Sequence, residues 1–185
     1  IGLVAAALIA VAAYMGVSHN EKKNIEKQMA EELKKVVFDF DPEDIVKMNV
    51  HNSTGDYKFD LTKDGWVITE GNQFQLSPDK FVTIATTMST LTASRILSEE
   101  LPDDLASFGL EDPMTVCLIT SDKKEHSIDI GSQVPGDDSF YARVTGGDTI
   151  YIVSKSDIEK LSSEEKDLKD KLLFDLASTD SINYI

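Results

Sequence analysis

The sequence predicts an α+β protein: an N-terminal transmembrane helix and a helical stalk, followed by repeated units of antiparallel strands closed by a helix. Three observations predict it. Residues 1–17, IGLVAAALIAVAAYMGV, form an apolar run without one charge. Residues 21–37 place apolar side chains at helical spacing between charged faces. From Ile45 the hydrophobic period becomes two, and helix-like stretches interrupt it twice.

The apolar run spans roughly 25 Å as a helix, a little short of the hydrocarbon core of about 30 Å. A few additional residues ahead of Ile1 would complete the span and carry the basic charge that orients it. A cleaved signal peptide is the rival reading, because Val11, Ala12 and Ala13 offer small residues near a cleavage point. Gly2, Ala6, Ala10 and Ala13 form a stripe of small side chains, which in lipid lets a second helix approach closely. Alanine as a plain apolar helix former explains the same residues.

Residues 18–37 are expected to continue the anchor as a stalk. Ile25, Met29, Leu33 and Val36 make its apolar stripe, and FDFDPED at 38–44 ends it. The first α+β unit is expected over 38–100. IVKMNVHN, YKFDLT and WVITE read as three strands, separated by turns at 53–56 and 63–65. Ser77, Pro78 and Asp79 then read as N-cap, first helical residue and dipole-facing acid. Phe81, Ile84, Ala85, Met88, Leu91 and Thr92 form the buried stripe of that helix, which the pattern carries on to LTASRIL at 91–97.

The second unit is expected over 101–178. MTVCLIT and HSIDIG flank a turn at 121–124, and FYARV and TIYIV flank one at 146–148. Helical sequence returns over 156–176. SINYI, within residues 179–185, reads as the opening strand of a further unit, so a longer natural chain is expected.

Charge and composition exclude several functions. The formal net charge is −15, and residues 38–185 hold 29 Asp and Glu against thirteen Lys and Arg. Such a field repels nucleic acid and anionic headgroups. The single Cys117 forms no intrachain disulfide and reads as a buried strand residue. His19, His51 and His126 lie far apart, without metal-ligand spacing. The acidic clusters at 39–44 and 137–138 match no calcium loop. GxSxG does not occur, and no glycine-rich phosphate loop does. No catalytic, metal or cofactor-binding residue is assigned, no cofactor is implied, and no small-molecule substrate is identified.

The order of KDGW at 63–66, LTASRIL at 91–97, FGLEDP at 108–113, IDIG at 128–131, FYARV at 140–144 and TIYIV at 149–153 resembles a bacterial family known as domain of unknown function 4340. The resemblance extends over residues 45–176. It implies a single-pass extracytoplasmic protein, similar to auxiliary components of ABC-type transport or gliding systems, and it carries no catalytic residues. Within these motifs Gly109 and Gly131 are expected to take positive φ or to end an element. Tyr141 and Arg143 share one face of a strand, where they serve either a protein partner or cross-strand packing.

The expectation is therefore a non-enzymatic, membrane-anchored accessory or scaffold protein outside the cytoplasm. It would bind a membrane or envelope protein through strand edges or the Tyr141/Arg143 patch. The alternative is an envelope ligand-binding module or hydrolase acting on a wall polymer or exported solute.

Overall fold

A computed structural model describes residues 19–170. The expected transmembrane helix with Gly2, Ala6, Ala10 and Ala13, and the expected strand within 179–185, lie outside the described residues. Among the described residues no helix is long and apolar enough to cross a membrane.

Helix α1 (His19–Lys34) leads into an extended segment. The strands β1 (Ile45–Asn52), β2 (Gly55–Thr62) and β3 (Gly65–Glu70) follow, then helix α2 (Pro78–Ser89) and strand β4 (Arg95–Ser98). Strands β5 (Met114–Thr120), β6 (Glu125–Gln133), β7 (Ser139–Val144) and β8 (Ile150–Ser154) come next. Helices α3 (Lys155–Leu161) and α4 (Glu165–Leu168) end the described chain. The architecture is α+β: a mostly antiparallel protein with a few helices. All eight strands join one sheet in the order β3-β2-β1-β5-β6-β7-β8-β4, every neighbouring pair antiparallel. The strands expected in two successive units are thus hydrogen-bonded into a single layer. The join is β1 against β5, with Met48 opposite Leu118 and Val50 opposite Val116.

Helices α2, α3 and α4 cover one face. Met48, Val50, Phe59, Val116, Leu118 and Ile128 point into that layer and are buried against Phe81, Ile84 and Met88 of α2. Phe81 sits between two rings, with centroids 5.0 Å from Phe59 and 5.1 Å from Trp66. Such offset and edge-on arrangements contribute beyond area burial.

Three local expectations are corrected. Helix α2 ends at Ser89, not at Leu97, and Thr92 is exposed. Residues 91–93 instead pair with residues 35–38: Val37 N–H donates to Leu91 O and Ala93 N–H to Lys35 O, each at 2.8 Å. Residues Arg95–Ser98 then form an edge strand on β8. Thr90 hydroxyl bonds back to Thr86 O at 3.1 Å, a habit that weakens a helix end. The helix expected over 156–176 breaks at Ser162, whose ψ of 121° leaves the helical region. The turn carries Ser163 to the β1–β2 hairpin, where its carbonyl accepts from Asn52 Nδ2 at 2.7 Å, and Leu168 is fully buried. Ser77 occupies the N-cap position of α2, yet its hydroxyl makes no cap bond; its N–H donates to Leu168 O at 2.9 Å.

Helix α1 ends at Lys34, and the segment that follows it is fastened through Phe38 and Phe40. Both rings pack on the His126 imidazole, Phe40 stacked at 3.8 Å and Phe38 edge-on at 5.8 Å. Among residues 23–34 of α1 none belongs to the core cluster, and Leu33 is 44 % exposed.

Candidate functional site

FGLEDP, IDIG and FYARV meet on the sheet face that carries no helix. Asp104 accepts the Ser107 N–H at 3.1 Å and begins a tight turn, Ala106–Phe108, which Gly109 ends with φ of +67°. The chain then passes close over β6. A Cβ on Gly109 would collide with Ser132, and one on Gly131 with the Phe108 carbonyl. Gly109 takes the expected positive φ; Gly131 does not, and lies within β6 because only a bare Cα leaves room for the crossing segment. Leu110 is buried beneath this clasp, and Phe108 meets Tyr141 edge-on at 5.0 Å. By register Ile150 and Ile152 share this face, and both are buried. A second, smaller apolar cluster therefore sits under FGLEDP.

Tyr141 and Arg143 do share a face, and both are engaged within the chain. Arg143 donates to Asp129 Oδ2 through Nη2 at 2.8 Å and Nε at 3.3 Å. The other oxygen, Oδ1, accepts from Thr115 and Thr145 hydroxyls at 3.0 and 2.7 Å. With side chains 4 % and 14 % exposed, this is a buried, hydrogen-bonded ion pair. Asp129 was not singled out from the sequence, although it is the acid of IDIG.

Beside the clasp, the open face over β1, β2 and β5 holds a depression of about 220 Å³ lined by Asn49, His51, Lys58, Glu70, Thr115 and Cys117. His51 Nδ1 lies 2.8 Å from Asp56, and Nε2 lies 3.4 Å from Asp112 of the FGLEDP segment. The Asp56 hydrogen bond, with a further one from Asp112, raises the His51 pKa above its usual value against the opposing effect of burial. Cys117 is half-buried on this face, and burial, then Glu125, pushes its thiol pKa up. A protonated thiol beside a histidine held between two carboxylates is not a nucleophile–base pair. Among the described residues no group of three or more His, Cys, Asp or Glu is arranged to hold a metal ion.

The third feature is the β3 edge, which no strand among the described residues pairs. Lys63 and Asp64 form a two-residue hairpin turn, so Thr62 and Gly65 exchange hydrogen bonds and Asp60 and Val67 do so next. Trp66 and Ile68 consequently direct their N–H and C=O groups to the open side. A groove of about 400 Å³ runs there, between β3 and residues 73–78, lined by Trp66, Ile68, Phe74, Leu76 and Pro78.

The fold and the clasp define an eight-stranded antiparallel domain, helix-covered on one face and crossed on the other by a glycine-seated segment. The chain belongs to the family described as Domain of unknown function (DUF4340), whose model matches residues 66–184. No curated protein and no solved structure matches it.

Proposed function

We propose that this is a non-enzymatic, single-pass membrane-anchored extracytoplasmic accessory protein that binds other membrane or envelope proteins, in association with a transport system. The observation that carries the reading is α1. It follows directly on the apolar run, and its stripe of Ile25, Met29 and Leu33 joins no core cluster. A helix face that packs on no core residue among the described residues suits packing against another helix. The stripe of Gly2, Ala6, Ala10 and Ala13 would continue that contact within the bilayer.

Three carboxyl groups among the described residues are unsuited to serve as general acids. Asp104, Asp122 and Glu165 are held below the usual range, chiefly by hydrogen bonds from Ser107, Lys124 and Lys169 respectively. A general acid needs the opposite displacement.

Purification of the full chain in mild detergent, followed by mass spectrometry, tests the proposal. A protein partner should co-purify and be lost when Ile25, Met29 and Leu33 are all replaced by Glu. A chain that elutes alone as a monomer, or leaves membranes in a carbonate wash, overturns it.

A further inference from the structure

Strand β3 ends the sheet, and no strand among the described residues pairs with the outward N–H and C=O groups of Trp66 and Ile68. A second stretch of extended main chain lies across the groove beside it. There Asp170 N–H donates to Gln75 O and Ser77 N–H to Leu168 O, each at 2.9 Å, around the bridge of Leu76 to Lys169. In that antiparallel pattern the N–H and C=O of Leu76 point away from Lys169. Leu76 lines the groove, as do Trp66 and Ile68. The groove of about 400 Å³ therefore runs between two lengths of main chain, each with hydrogen-bonding groups on a side that no strand among the described residues occupies. An edge of this kind is a template for one added strand.

The lining and the charge of the chain set the chemistry of an occupant. An added strand alternates its side chains between the two faces of the sheet. Those on the helical side would meet Trp66, Ile68, Phe74 and Leu76, which are apolar and half-buried. Those on the other side would project to solvent beside the exposed Val67. Asp64, exposed in the hairpin turn, is the charged residue of the lining among the described residues, and the whole chain carries −15. A field of that sign draws a basic segment and repels a second copy of the same chain.

We propose that the β3 groove receives an extended segment of a partner protein, apolar at alternate positions and basic between them, which adds to the sheet at Trp66 and Ile68. A partner held here is independent of one held at α1, so either contact can fail while the other persists.

Trp66 lines the groove and is the only tryptophan in the chain, so its emission reports occupancy directly. The experiment titrates the detergent-solubilised full chain with short synthetic peptides. One alternates valine and lysine, one alternates valine and glutamate, and one repeats the first with N-methylated main-chain amides. The valine–lysine peptide should shift Trp66 emission to the blue and slow amide exchange at Trp66 and Ile68 by on the order of tenfold. It should bind on the order of tenfold more tightly than the glutamate peptide at low salt, and the difference should shrink as salt rises. The N-methylated peptide should give no exchange protection. Equal binding of the acidic and basic peptides overturns the proposal, as does equal protection by the N-methylated one, or no response to any of them. A chain ending at Asp170 that responds where the full chain does not also overturns it, because residues 171–185 would then hold the groove. So does a Trp66 signal that tracks protein concentration together with a doubled mass, because the occupant would then be a second copy.

Discussion

The two faces of the sheet solve burial differently, and two histidines display the difference. On the helical face His126 lies against Phe38 and Phe40, and burial lowers its pKa. On the opposite face His51 meets Asp56 and Asp112, and its pKa is raised. The helical face gains stability by excluding water from apolar side chains. The opposite face buries its apolar side chains fully under the FGLEDP clasp, and elsewhere it carries charge pairs such as Lys47–Asp60 at 2.7 Å. Such exposed pairs contribute little each, so the clasp is where that face has energy to lose.

The sharpest way to break this contrast is to remove one anchor from each face. Phe81→Ala takes a fully buried ring from between Phe59 and Trp66, and should cost about 4 kcal/mol in chemical unfolding. Asp129→Asn leaves the Arg143 guanidinium buried without its counter-charge, and should cost about 3 kcal/mol. If Asp129→Asn proves neutral, the opposite face is not held by its ion pair. Gly109→Ala forces a left-handed residue and a collision with Ser132, with an expected cost of about 2 kcal/mol. Its effect should be concentrated in faster amide exchange at Leu110 and in the strands under the clasp. The helical face should be left nearly unchanged.

Much of the helical face was legible in the sequence. Alternation and turn residues located seven of the strands, β1 to β3 and β5 to β8, and the stripe Phe81, Ile84, Ala85, Met88 and Leu91 is buried. β4 was not legible, because RILS continues the apolar spacing of α2, and only the pairing of residues 91–93 with the stalk root pulls it out of the helix. The Asp129–Arg143 pair was hidden by one irregularity. Val134 N–H bonds to Ser139 O, and even pairing counted back from that turn would set Asp129 against Val144. The register instead shifts between Ile130 and Gln133, so Asp129 faces Arg143. A one-residue bulge exchanges the faces of every side chain beyond it. Gly131 sits in that stretch, and its only sequence signal was an isolated glycine in a strand. The continuity of the two strand clusters was equally hidden, since nothing in local periodicity states that β1 will pair with β5.

The smallest predicted effect sharpens the comparison most, because its sign differs between the faces. The folded-state pKa of His51 lies above the unfolded value near 6.5. Its contribution to stability is complete below pH 6.5 and is lost as pH rises through the raised value. The folded-state pKa of His126 lies below 6.5, so its neutral ring is the favoured form. Stability is then intact above 6.5 and falls as pH drops toward the lowered value. The His51 side chain is 45 % exposed, which limits its effect to under about 1 kcal/mol. Imidazole proton resonances followed from pH 5 to 8 should show His51 titrating above 6.5 and His126 below it. His51→Gln should flatten stability on the alkaline side, and His126→Gln on the acid side. Matching titrations of the two rings would mean that burial by Phe38 and Phe40, and pairing with Asp56, do not distinguish the faces after all.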